Sequence, residues 1–143
     1  MDFLDVNVLV NAFRRDAVRH KEFAEFVTSL VDGDQPFAIP AVVFNSFFRI
    51  VTHAKIFNRP SEFHDARVFA EQLHDAPRCL TIVPGPNHWP IFLDLCVRGR
   101  ARGPMMTDAY LAAMAIEIGA ELVTDDRGMG RWPGLKWRPP VDN

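Results

Sequence analysis

Cysteine is scarce in this 143-residue chain: Cys79 and Cys96 are the only two, and they lack metal-ligand spacing. That leaves no thiolate metal site and suits free thiols in a reducing cytoplasm. Positive charge is not in excess either. Lys and Arg number 16 against 18 Asp and Glu, giving a formal net charge of -2 and a pI of about 6.2. The balance does not advertise nucleic-acid binding, and such a role requires a local basic patch. No apolar run is long enough to span a bilayer, so no membrane function is expected. The start carries Asp2 and Asp5 where a secretory leader would have a basic region, and no leader is expected. His20, His53, His64, His74 and His88 are scattered, with no pair at ligand spacing, and read as surface or packing residues. Repeats and low-complexity tracts are absent.

What is present is a core. The chain is 48% hydrophobic, enough to bury the interior of one domain over residues 1–143. Residues 2–6 read as a strand that hands over at Asn7 to a short helix ending near "RRD". Val18, Phe23, Phe26, Val27 and Leu30 recur at helical intervals within 17–31. "FAI" is a strand, and Pro40 suits the first turn of a buried helix over roughly 40–53. A helix near 62–74 starts at Ser61 or Pro60. "CLTIV" is β-like, and "PGPNHWPIFLDLCVRG" is a loop and then a helix. Residues 105–118 form another helix stopped by Gly119. "ELVT" is a strand, followed by a loop and a last strand at "LKW". Short apolar strands alternating with helices predict an α/β domain with a mainly parallel central sheet flanked by helices, an α/β/α sandwich.

In such sheets function gathers beyond the carboxyl ends of the strands. Asp5 ends the first strand, Asp125 and Asp126 follow "ELVT", and Asp108 lies in the first turn of the 105–118 helix. Each acid alone reads equally well as a cap or turn residue. Together they face one rim, where carboxylates without a basic partner repel. A divalent cation resolves that repulsion. An all-oxygen ligand set points to Mg²⁺ or Mn²⁺, and such sites work on phosphate esters.

With those residues in place the chain resembles the PIN-domain ribonucleases, specifically VapC-type toxins of type II toxin–antitoxin pairs. The resemblance runs end to end, through "FLDVNVLV", "PAVVFNSFFRIVTH", "TDAYLAAMAIEIGAELVTDD" and "RWPGLKW". It implies a Mg²⁺- or Mn²⁺-dependent endoribonuclease that hydrolyses RNA phosphodiesters. It also implies a VapB-type antitoxin that blocks the enzyme, and a homodimer. By position, Asp5, Asp108 and Asp126 are its metal-site acids, Asp125 is the variable neighbour, and Asn7 and Thr124 are supporting polar residues. Many members carry a Glu on the third helix where this chain has Asn45, which cannot act as a base. Relatives with an "FLR-x-x-T" stretch, echoed by Phe47, Phe48, Arg49 and Thr52, also do without that Glu.

Positive charge near the rim has several candidate sources. Arg49 lies one turn from Asn45 on the same helical face and is either a phosphate ligand or the partner of a local acid. Arg98, Arg100 and Arg102 lie in the loop before the Asp108 helix. Arg127, Arg131, Lys136 and Arg138 follow Asp126, and together these groups are candidates for an RNA-binding patch. Trp132 and Trp137 read as packing residues. Glu117, two and a half turns after Asp108, reads as solvated. Phe23, Phe26, Phe47, Phe48 and Phe57 are candidates to include surface members for an antitoxin or dimer contact. Two other readings stand beside the nuclease. One is a catalytically silent PIN-fold module that binds RNA or protein. The other is a haloacid-dehalogenase-like phosphatase, which wants an acid at Asn7 and a lysine that the chain does not place. The RNA cut, whether tRNA, rRNA or mRNA, is not legible.

Overall fold

The computed structural model describes residues 1–142. Five short strands and six α-helices follow one another as β1 (Asp2–Leu4), α1 (Val6–Phe13), α2 (His20–Asp32), β2 (Phe37–Pro40), α3 (Ala41–Val51), α4 (Phe63–His74), β3 (Cys79–Ile82), α5 (His88–Arg98), α6 (Met105–Glu117), β4 (Glu121–Val123) and β5 (Trp137–Arg138). A single 3₁₀ turn, Arg127–Arg131, lies between the last two strands. The strands form one sheet in the order β3-β2-β1-β4-β5. Every pairing is parallel, with Leu4 opposite Val123 and Phe3 opposite Ala38.

Parallel neighbours need long crossovers, and the helices supply them for all but β4 to β5. Successive strand side chains point to opposite faces. Phe3 and Leu4, Phe37 through Ile39, and Leu122 and Val123 are nevertheless all buried. Both faces of the sheet are therefore covered, as the three-layer expectation requires. Helix α6 is apolar on nearly all sides, with Ala109, Leu111, Ala112, Ala113, Met114 and Ala115 buried, as befits a helix enclosed by its neighbours. Its alanines let the backbone sit close to the layers around it. Gly119 ends the helix at φ +65, a left-handed conformation that favours glycine.

Strand order fixes the position of the site. The chain leaves β1 toward β2 and β3 on one side and later returns to fill β4 and β5 on the other. The crevice of a doubly wound sheet opens where that order reverses, beyond the carboxyl ends of β1 and β4.

Local differences from the expected elements have visible causes. Helix α2 begins at His20, not at Ala17, and Val18 is wholly exposed outside it. Arg14 holds the preceding segment as a turn, through Asp16 (2.6 Å), the Arg59 carbonyl (2.8 Å) and the Ser61 hydroxyl (3.0 Å). Pro40 closes β2 in extended conformation (ψ 143) and caps α3, so it is not in the first helical turn. Helix α4 starts at Phe63, because the Ser61 N–H is taken by the Val51 carbonyl at 2.8 Å. Phe23 and Phe47 are fully buried, Phe26, Phe48 and Phe57 are partly exposed, and Phe63, not among the candidates, is exposed. Glu117 is not simply solvated: its carboxylate accepts the Gly85 and Asn87 backbone N–H groups, both at 2.9 Å, and ties the loop before α5 to the end of α6. The cysteines are free, as expected, and burial pushes the Cys79 thiol up to about 11.

Candidate active site

Asp5 is the residue between β1 and α1. Its backbone N–H continues the sheet to the Val123 carbonyl (3.1 Å), while its Oδ1 caps the helix by accepting the Val6 N–H at 2.6 Å. The cap reading and the site reading thus describe the same side chain, one oxygen each. Oδ2 accepts the Thr124 hydroxyl at 2.7 Å and the Asn7 amide at 3.1 Å. Asn7 also donates to the Thr124 Oγ1 at 2.8 Å, and its Oδ1 takes the Asp125 N–H at 3.0 Å. Thr124 Oγ1 further accepts the Asp126 N–H at 3.0 Å. This net explains two polar residues in an apolar segment. Asn7 and Thr124 lock the end of β1 to the end of β4 and satisfy every polar group that the junction buries.

The acids share an electrostatic neighbourhood. Burial pushes the Asp5 carboxyl above the usual carboxylate range, and the charge of Asp126 pushes it further. The hydrogen bonds from Thr124, the Val6 backbone and Asn7 pull it back. Asp108, in the first turn of α6, is also raised, first by burial and then by the charges of Asp126 and Asp5, with Arg131 opposing. Asp126 is the neighbour that both acids feel, and its Oδ1 caps the 3₁₀ turn by accepting the Gly128 N–H at 2.8 Å. Asp125 instead pairs with Arg19 at 3.6 Å. Carboxylates that raise one another are an oxygen-only donor set short of positive charge, a chemistry that fits a hard divalent ion. Among the described residues no group of three or more His, Cys, Asp or Glu stands as a formed metal cage. The fit is therefore one of donor chemistry and charge.

The other candidates are placed as follows. Asn45 and Arg49 are both exposed on α3, four residues apart. Among the described residues Asn45 makes no hydrogen bond to the acids and Arg49 has no ion-pair partner. Arg98 pairs with Asp94 of its own helix at 3.2 Å. Arg100, at φ +49, and Arg102 are exposed in the loop before α6, and Arg127 is exposed at the start of the 3₁₀ turn. None of these arginines forms an ion pair with Asp5, Asp108 or Asp126. Trp132 is buried and Trp137 partly so, which makes them packing residues. The cation that does register at the acids is Arg131, read from the sequence only as part of a general patch. Its separation of five residues from Asp126 across "DRGMGR" was the available signal.

A family model described as the PIN domain matches residues 3–135. The chain belongs to the PIN-domain family. This PIN domain is 37% identical over 139 residues to ribonuclease VapC43 of Mycobacterium tuberculosis, covering 97% of this chain and 95% of that protein. It is 36% identical over 142 residues to ribonuclease VapC25 of the same species, covering 99% and 100%. It thus falls within the VapC-type ribonuclease branch of the family. A chain of the VapBC2 complex of Rickettsia felis, solved with a fragment of its promoter DNA, matches in fold at TM-score 0.73 and 17% identity, covering 96% of this chain and 97% of that one. VapC20 of M. tuberculosis, described as a sarcin–ricin loop cleaving toxin, matches at TM-score 0.69 and 11% identity over 95% and 99%. Those two likenesses establish the shared fold. The PIN assignment sets aside the haloacid-dehalogenase alternative. Among the described residues no helix is long and apolar enough to cross a membrane.

Proposed function

We propose that this VapC-type protein is a metal-dependent endoribonuclease acting as the toxin of a toxin–antitoxin pair, with a VapB-type antitoxin as its partner. The observation that supports the reading is that Asp126 raises the carboxyls of both Asp5 and Asp108, and Asp5 that of Asp108, with Asp5 and Thr124 joining the ends of β1 and β4 at the switch point. These three carboxylates would hold Mg²⁺ or Mn²⁺. A bound divalent ion there supplies a water of lowered pKa and shields phosphate oxygens.

The remaining roles belong to the chain. Thr124 and Asn7 hydrogen-bond the Asp5 Oδ2 and pull its carboxyl down against the burial that raises it. The Gly128 N–H fixes one oxygen of the Asp126 carboxylate. Asn45 offers a neutral amide near the rim, able to orient a water but not to take its proton. Arg49, Arg98, Arg100, Arg102 and Arg127 are exposed cations for flanking RNA phosphates, supplying locally the positive field that the net charge of -2 hides. Resemblance to VapC proteins supports a homodimer, and the VapBC complexes among the structural neighbours support the antitoxin partner.

Incubating purified protein with bulk tRNA and rRNA tests the reading. Cleavage is expected with Mg²⁺ or Mn²⁺, to stop with chelator, and to be lost in Asp5→Asn and Asp108→Asn. Equal cleavage by wild type and both variants would remove the site. Asn45 favours a second reading, a silent RNA- or protein-binding module. RNA binding without cleavage under either metal would establish it.

A further inference from the structure

Arg131 closes the 3₁₀ turn that begins beside Asp126. Its Nε donates to the Gly128 carbonyl at 3.0 Å, which orients the guanidinium plane. The position of its outer fork follows from Gly128. A Cβ placed there would lie 2.9 Å from the Asp126 Oδ1 and 3.3 Å from the Arg131 Nη2, so carboxylate and fork flank the same bare α-carbon. Yet Arg131 forms no ion pair of its own among the described residues. The arginines that are satisfied elsewhere look different. Arg14 is spent on Asp16, and Arg138 on Asp2 and Glu121. Exposed Arg49, Arg100, Arg102 and Arg127 are unpaired too among the described residues, but it is Arg131 whose fork shares the Gly128 α-carbon with a site carboxylate, that of Asp126.

A guanidinium anchored by one nitrogen, with its fork unspent beside the Asp126 carboxylate, suits an anion that arrives already partly neutralised. The planar fork matches two phosphate oxygens better than a point charge does. We propose that Arg131 is a substrate-binding residue of this site, its outer fork taking an oxygen of the RNA phosphate next to the acids. The proposal rests on the ribonuclease reading above.

The experiment measures binding of fluorescently end-labelled bulk tRNA, in an Asp108→Asn background that blocks cleavage, across a salt series. Arg131→Gln is expected to weaken binding about fivefold or more at low salt, and to flatten the slope of log K against log salt by about 0.7–0.9, one phosphate contact. Arg131→Lys should restore the slope, since it keeps the charge, while affinity stays below that of arginine. Both variants lose the Nε bond to Gly128, so their melting temperatures should fall together while their salt slopes part. An unchanged slope in Arg131→Gln overturns the proposal, even if cleavage in the otherwise wild-type protein falls, because the residue then only holds the turn. A Lys variant whose slope is as flat as that of Gln overturns it too. Wild-type protein that neither binds nor cleaves tRNA with Mg²⁺ or Mn²⁺ removes the nuclease reading and this proposal with it. Cleaving wild type with an unmoved slope removes this proposal alone.

Discussion

Replacing Thr124 by Val keeps the shape of a fully buried side chain and deletes one hydroxyl. That hydroxyl donates to the Asp5 Oδ2 at 2.7 Å and accepts from the Asn7 amide at 2.8 Å and the Asp126 N–H at 3.0 Å. Asn7 and Asp5 keep their bond to each other, so the loss falls on a charge-assisted bond and on an Asp126 N–H left without a partner. A bond to a charged group is worth about 1.5–3 kcal/mol and an orphaned donor costs about 1–3. Shared geometry makes these less than additive, so a cost of about 2–4 kcal/mol is expected, or a fall in Tm on the order of 10 °C. Thr124→Ser keeps all three bonds and loses one methyl group, at about 1 kcal/mol. Differential scanning calorimetry of both variants in chelator tests this. A second readout is Mn²⁺ titration. Without the hydroxyl, the largest influence holding the Asp5 carboxyl down is gone, so metal binding near neutral pH should weaken in Val and not in Ser. The reasoning is refuted if Val melts within a degree or two of wild type, or if Ser falls as far as Val.

Other perturbations test other parts of the molecule. The raised Asp108 carboxyl makes its ionised form costly, so without metal its contribution to stability is full below the ordinary carboxylate range and lost as pH rises through its elevated folded value. Asp108→Asn should accordingly melt higher than wild type at neutral pH in chelator, with the difference vanishing at about pH 3–4. Asn45→Glu adds an acid at the α3 position where many relatives carry one, and Mn²⁺ affinity measured by calorimetry should rise severalfold. Glu117→Ala frees the Gly85 and Asn87 N–H groups. It should cost about 1–2 kcal/mol and speed proteolysis in the 84–87 loop, as followed by mass spectrometry of timed digests.

Much of the fold was written in local pattern. The α2 face through Phe23 and Val27, the β4 run and the Gly119 stop depend on nearest neighbours along the chain, and periodicity or backbone freedom reveals such features. Boundaries set by distant partners were less legible. Nothing local says that Val18 lies outside its helix, because the turn before it is held by Arg59 and Ser61 from another segment. Glu117 was misread for the same reason: its partners are 30 and 32 residues away. The acids could be listed from their strand-end positions. That Asn7 and Thr124 form one net with Asp5 follows only from β1 lying beside β4. Arg131 was seen as charge but not as placed charge, since placement depends on a turn whose geometry sequence does not print.

Parallel pairing of the first strand with the fourth has a consequence for how the protein is made. Asp5 leaves the ribosome more than a hundred codons ahead of its partners Thr124 and Asp126. At roughly 5–20 residues per second, several seconds separate them. During that interval β1 can pair with β2 but not with β4, and Asp126 is missing, so no crevice is assembled. A message truncated anywhere before β4 would yield a product without the site. Any harmful activity this chain carries therefore begins only once β4 and Asp126 have emerged.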